Sequence, residues 1–263
     1  MTRVALVTGA ARGIGAETVR VLCRDGYAVV AVDSCAGDDV PDGVAYALAT
    51  RAELDAVAAE FPDHVLARVA DVRDREALAA AAADGVDAFG RLDAVVAAAA
   101  VIAGGLPLWE SPDSHLDNQW DVDVKGVWNT AAATIPHLLN GPDPSGGRFV
   151  AIASAAGSHG LFHLAAYNTA KHAVIGLVKG LAADLVGTGV TACAVSPGST
   201  RTRMLDATAA IYDLADVEEF ASSQLIRRLL EPAEVAATIA LCCSLEGAAL
   251  NGSVVSADGG FGR

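Results

Sequence analysis

No apolar run in these 263 residues is long enough to cross a bilayer, although hydrophobic residues make up 53% of the chain. A large buried core is therefore expected, and a membrane segment is not. Cations are scarce. Eighteen Lys and Arg stand against 32 Asp and Glu, a formal net charge of −14. Nucleic acid and anionic membranes both attract Lys and Arg, so neither is an expected partner. Cysteine is sparse too: Cys23, Cys35, Cys193, Cys242 and Cys243 are odd in number and scattered. The adjacent pair lacks metal-ligand spacing, so all five read as free thiols and no metal site is expected. Before the strand pattern Arg3 to Thr8 there is no charged region, apolar stretch and cleavage site. No export signal is expected, and the cytoplasm is the expected compartment. With neither an internal repeat nor a linker, residues 1–263 read as one domain.

What the chain does have is alternation. Strand patterns at Arg3–Thr8, Ala28–Asp33, Val65–Ala70, Leu92–Ala99, Arg148–Ala153, Val190–Ser196 and Ser253–Ala257 are separated by helical ones. The pattern predicts an α/β fold, a doubly wound seven-stranded parallel sheet. The unbroken apolar character of the fourth strand suits a sheet covered on both faces. Helices are expected at Ala16–Arg24, Arg75–Phe89 and Tyr167–Val186, with a last one opened by Pro232. Asp113–Leu139 reads as one long helical region whose Trp120, Trp128 and Leu138 belong to core or interface. Residues 34–63 form a polar, Gly- and Pro-punctuated insertion, long for a strand connection, with a short helix behind a capping box of Thr50 and Glu53. Residues 203–230 are acidic and read as a mobile lid.

The first strand runs into Thr8-Gly9-Ala10-Ala11-Arg12-Gly13-Ile14-Gly15 and then a helix. Such a turn gives close backbone approach and places a pyrophosphate on free N–H groups at the helix N-terminus. Asp33 closes the second strand, where a carboxylate accepts both adenosine ribose hydroxyls and repels a 2′-phosphate. NAD is favoured over NADP, with Arg12 the counter-signal. Further along, Ser154 ends a strand, while Tyr167 and Lys171 stand at i and i+4 on one helix face. A free tyrosine titrates near 10, so using it as a base near neutrality means lowering that value by roughly 3 units, about 4 kcal/mol. A cation at about 4 Å and an effective dielectric near 20 contributes roughly that much. In isolation the pair reads rather as one core Tyr and one surface Lys. The glycine turn, Asp33 and Ser154 decide for chemistry, because Gly9, Asp33, Ser154 and Pro197 all follow strand C-terminal ends, where open α/β sheets bind ligands.

Thr8 to Gly15, Asp71, the Ser154/Tyr167/Lys171 spacing, Pro197-Gly198 with Thr202, and Asp258-Gly259-Gly260 together resemble the short-chain dehydrogenase/reductase family, single-domain Rossmann branch. The resemblance implies that Tyr167 is the general acid/base, that Ser154 bonds the substrate oxygen, and that Lys171 holds the nicotinamide ribose and lowers the tyrosine pKa. It implies adenine contacts at Asp71 and Val72, carboxamide contacts at Thr200 and Thr202, and further NAD contacts at Gly9, Arg12, Gly13, Ile14, Gly15, Ala98, Pro197 and Gly198. Two departures stand out. Ala97-Ala98-Ala99-Ala100 replaces the family's Asn-Asn-Ala-Gly, losing side-chain bonds between strands. Asp123, three before Gly126, replaces the fourth catalytic residue, an Asn whose main-chain carbonyl serves a proton path. A homotetramer is implied, paired through 113–139 and 167–186. His159 and His163 read as loop histidines, and Cys35 as packing.

The expected activity is hydride transfer between NAD and a secondary alcohol or ketone. A 3-oxoacyl thioester reductase is the enzyme alternative, disfavoured by Asp206, Asp213, Asp216, Glu218 and Glu219 in the lid, since a phosphopantetheine arm calls for a basic entrance. A nucleotide-sensing binding module is the non-enzyme alternative, and such a module could lack Tyr167 and Lys171. The insertion around Cys35 and Tyr46–Asp55 resembles that of short-chain dehydrogenases associated with mycofactocin. That resemblance implies NAD that stays bound and is reoxidised in place by an external acceptor.

Overall fold

The computed structural model describes residues 2–262. Seven strands, β1 (Val4–Thr8), β2 (Ala28–Asp33), β3 (Val65–Val69), β4 (Ala94–Ala97), β5 (Arg148–Ile152), β6 (Thr191–Pro197) and β7 (Val254–Ala257), form one parallel sheet in the order β3-β2-β1-β4-β5-β6-β7. Successive side chains of a strand point to opposite faces. Val4 and Leu6 accordingly join the core beneath α3 (Arg75–Phe89), α5 (Lys125–Leu139) and α6 (Ala165–Asp184), whereas Ala5 and Val7 join the core beneath α1 (Gly13–Arg24) and α8 (Pro232–Cys243). Burying a Leu, Val or Phe side chain contributes roughly 1.5–3 kcal/mol. Leu6, Leu22 and Phe149 at 0% exposure are at the favourable end of that range.

The chain reverses direction between β1 and β4, so the loops that leave these strands open a crevice at their C-terminal ends. β4 is shorter than its apolar run because Ala98 N and Ala99 N leave the ladder and donate to Thr8 Oγ1 at 3.1 and 3.3 Å. One threonine hydroxyl thus ties the neighbouring strand ends through backbone amides, a tie available to an all-alanine segment.

Residues 113–139 are helical throughout, as expected, but with a break in the hydrogen-bond pattern: α4 (Asp113–Gln119) is followed by a π turn, Trp120–Val124, before α5. Trp120 and Trp128 are 42% and 60% exposed and do not belong to the core of the single chain. The acidic segment 203–230 is more regular than expected, with α7 (Arg203–Ile211) and a 3-10 run, Val217–Ser223. Arg201 braces it, reaching Glu218 at 2.6 Å and Glu231 at 3.1 Å. The insertion contains α2 (Arg51–Ala59), started by Thr50, whose side chain accepts from Glu53 N while Glu53 accepts from Thr50 N.

Candidate active site

One cleft of about 610 Å³ runs along the C-terminal edge of the sheet, from the glycine turn to Tyr167. At its first end the backbone passes itself closely. A Cβ on Gly15 would stand 2.0 Å from Gly9 O, and one on Gly9 2.9 Å from Ala99 Cα, so side chains are excluded at both positions. Gly9, Arg12, Gly13, Ile14 and Gly15 line the cleft, and α1 begins at Gly13, three residues before the expected start, so its unpaired N–H groups face it. This cradle fits a pyrophosphate. At the end of β2, Asp33 accepts from Ala11 N through Oδ2 and from Cys35 N through Oδ1, both at 3.1 Å, which fixes its carboxylate between the turn and the insertion.

Arg12 is drawn to the insertion instead. Its Nη2 donates to Ala47 O at 2.8 Å and its guanidinium lies 5.9 Å from the Tyr46 ring centroid. The insertion forms a lobe pinned at several points. Gly37 N donates to Ala49 O, Leu48 N donates to Gly37 O, and the Asn118 amide of α4 donates to Asp42 O. Its Tyr46 crosses the cleft and accepts from Ile102 N at 3.2 Å, joining Ile102, Leu164 and Tyr167 in one apolar cluster. Sequence reasoning did not place Tyr46 there, because only the fold brings 46 and 102 together.

Asp71 and Val72 line the cleft after β3. Burial opposes the Asp71 charge, but Arg73, 2.6 Å away, holds its carboxyl below the ordinary range. Ala98 lines the cleft from β4, and Pro197, Gly198, Thr200 and Thr202 from the end of β6. Thr200 Oγ1 donates to Gly198 O, while Thr202 Oγ1 accepts from Leu205 N and starts α7.

Ser154 follows β5 in extended conformation and accepts from Ala156 N at 3.2 Å. Tyr167 and Lys171 both rise from α6, which starts two residues before Tyr167. Tyr167 is 8% exposed and Lys171 2%. The ammonium lies 5.4 Å from the Tyr167 ring centroid, donates to Ile152 O at 3.3 Å, and stands 3.0 Å from Asp123 Oδ2. Asp123 sits behind the cleft wall at 0% exposure, its Oδ1 accepting from Val101 N at 2.9 Å. Here the carboxylate itself, rather than a main-chain carbonyl, meets the lysine. Burial lifts the Tyr167 pKa above the ordinary phenol value, Lys171 draws it down, Asp123 pushes it back up, and a hydrogen bond with Ser154 lowers it. The net direction is up, opposite to what a lone Tyr/Lys pair predicts, because burial and the carboxylate outweigh the cation.

Leu161, Leu164, Met204 and Tyr212 line the cleft and cluster with Tyr167, an apolar wall beside the phenol. Met204 Sδ is 4.0 Å from Tyr167 Oη. His159 is engaged by Ala155 O and packs edge-on against Phe261, while His163 stacks on Phe162. Cys35 has φ +53°, a left-handed conformation uncommon outside glycine, and is partly buried against the core on the α1 side. Among the described residues no cluster of three or more His, Cys, Asp or Glu has the arrangement to hold a metal ion, and no helix is long and apolar enough to cross a membrane.

A family model described as enoyl-(acyl carrier protein) reductase matches residues 9–262. An uncharacterized NAD-dependent oxidoreductase of Mycobacterium tuberculosis is 39% identical over 217 residues, 81% of this chain and 77% of that protein. The (-)-trans-carveol dehydrogenase of Rhodococcus erythropolis is 36% identical over 206 residues, 77% of this chain and 73% of its own. Among solved structures, carveol dehydrogenase from Mycobacterium avium in complex with NAD superposes with a TM-score of 0.90 at 28% identity, covering 98% of this chain and 96% of that one. With the strand order, the glycine turn and the Ser154/Tyr167/Lys171 group on one crevice, these matches establish that the chain belongs to the short-chain dehydrogenase/reductase family.

Proposed function

We propose that the protein is an NAD-dependent dehydrogenase that interconverts a neutral, apolar secondary alcohol and its ketone, and that NAD stays bound through turnover. The observation that carries this reading is the single cleft: a side-chain-free cradle and Asp33 at one end, Ser154, Tyr167 and buried Lys171 at the other. When bound, NAD supplies the hydride acceptor for oxidation and the donor for reduction. Ser154 Oγ donates to the substrate oxygen and orients the carbinol carbon. Tyr167 takes the hydroxyl proton in oxidation and returns it in reduction, and Lys171 supplies the nearby positive charge. The apolar lining excludes water and favours a hydrocarbon body over a charged one, and carveol, named for two of the relatives, is an alcohol of that type.

Asp33 next to the turn, with Arg12 engaged by the lobe, supports NAD rather than its 2′-phosphate. The lobe itself supports retention. Leaving the cleft past residues 34–49 means breaking the Arg12, Tyr46 and Asn118 ties, which slows dissociation. An external two-electron acceptor of the mycofactocin type then takes the electrons while the nucleotide stays in place. Purified protein is expected to carry nucleotide through gel filtration and to release NAD, not NADP, on denaturation. It is expected to oxidise its alcohol poorly with free NAD and to turn over repeatedly with an artificial electron acceptor. Apoprotein that turns over rapidly on added NAD alone would leave an ordinary exchangeable-cofactor dehydrogenase. Preferential reduction of a 3-oxoacyl thioester would favour the acyl-carrier reading instead. Arg201 and Arg228 do not support that reading, since Glu218, Glu231 and Glu234 engage both.

A homotetramer is part of the same proposal. Leu116, Trp120, Trp128 and Leu139 are exposed on α4, the π turn and α5, apolar area that a second copy would cover. Light scattering at micromolar concentration is expected to give four chains, and a monomer would refute the assembly.

A further inference from the structure

Asp123 does more than its hydrogen bonding requires. The amide of Val101 needs only an acceptor, and Oδ1 provides one at 2.9 Å, as an asparagine would. Oδ2 is spent on the Lys171 ammonium, which stands 3.0 Å away. A fully buried carboxylate is costly, and replacing a buried ion pair by neutral groups of similar size is often neutral or stabilising. Stability therefore gives no reason for a charge at this position, and proximity to the proton-transfer group does. We propose that Asp123 is a positioning residue that acts on Tyr167 through Lys171: its carboxylate cancels the ammonium, so the phenol keeps its proton until further positive charge enters the cleft. This rests on the reading of Tyr167 as the acid/base group.

The surroundings leave few other charges to do this. Facing the phenol are Lys171 from α6 itself, Ser154 from the end of β5, Met204 from α7 and Tyr46 from the lobe. Tyr46 is neutral, since burial holds its phenol well above the ordinary value. Arg12 stands on the far side of the Tyr46 ring. Facing Asp123 are Lys171, the Val101 amide and, from the lobe, Tyr46. Burial opposes the lysine charge, yet Asp123 and then Tyr167 hold Lys171 above its ordinary value, while burial raises Asp123. The three groups titrate as one cluster, so neutralising any member moves the other two.

Asp123→Asn keeps the acceptor for Val101 and removes the charge. Tyrosinate absorbance titrated against the matching Tyr167→Phe protein isolates Tyr167 in each background, with the nucleotide held reduced so that its nicotinamide carries no positive charge. In the unsubstituted protein Tyr167 is expected to stay protonated beyond the ordinary tyrosine range. In Asp123→Asn its ionisation is expected about one to two pH units lower, the size of effect a charge within a few ångströms produces. The acid limb of alcohol oxidation should move the same way. Equal titration of Tyr167 in both proteins overturns the proposal, as does ionisation near pH 7 in the unsubstituted one, a measurement that does not depend on the variant folding. Lower turnover in Asp123→Asn with neither curve displaced would make Asp123 purely structural. The turnover of Tyr167→Phe separately decides whether the tyrosine carries the reaction.

Discussion

Tyr167→Phe is expected to keep its nucleotide and to lose turnover about 10²- to 10⁴-fold, the usual contribution of a positioned acid/base group. The substitution removes one oxygen. The ring stays packed against Ile102, Ala156 and Leu164, and the lost polar contacts are the hydrogen bond with Ser154 and the long one to Met204 Sδ at 4.0 Å. Folding and nucleotide content should therefore change little, and the loss should appear in kcat rather than in binding. The reverse direction should suffer equally, because the same hydroxyl returns the proton to the nascent alkoxide. Single-turnover absorbance changes at saturating substrate, in both directions, separate this from slow product release. Turnover within tenfold of the parent would remove Tyr167 from the mechanism.

Lys171→Met should show its largest effect on stability. It leaves the Asp123 carboxylate buried with only the Val101 amide, and removing one partner of a buried pair costs about 3–5 kcal/mol. At about 2–4 °C per kcal/mol for a chain of this size, the melting temperature at neutral pH should fall by about 6–20 °C. The pH dependence fixes the cause. Burial already pushes Asp123 above the ordinary carboxylate value with Lys171 present, and without the cation it moves further up. The folded variant then binds that proton more tightly than the unfolded chain, where the group titrates near 3.9, so its stability falls as pH rises above about 4 and goes on falling until the folded value is passed. The gap to the parent should be small in acid and widest at neutral pH. Lys171→Met combined with Asp123→Asn should recover much of the loss. A melting difference that is constant with pH, or unchanged by the second substitution, would mean that the carboxylate is not the source.

Local patterns made the framework legible. Short apolar runs became strands, the glycine turn became the N-terminus of α1, and the i, i+4 spacing put Tyr167 and Lys171 on one face of α6. What escaped was set by contacts between distant segments. The sequence has no sign that Tyr46 reaches Ile102, that Ala47 captures Arg12, or that a π turn aims the Asp123 side chain at Lys171. The direction of the Tyr167 shift escaped for the same reason, since it depends on burial and on a carboxylate 44 positions away in the chain. Residues 113–139 read as helical and are, but the π turn within them, Trp120–Val124, left no mark in the apolar pattern.

The capture of Arg12 also bears on redesign. Cofactor exchange in a dinucleotide-binding fold is ordinarily sought at the acidic residue closing the second strand. In this chain that change alone removes a repulsion and adds no attraction, because the nearest guanidinium is committed to Ala47 O and the Tyr46 ring. Specificity is thus shared between the turn and the lobe that holds its arginine, and an engineer would have to release the arginine as well as replace the acid.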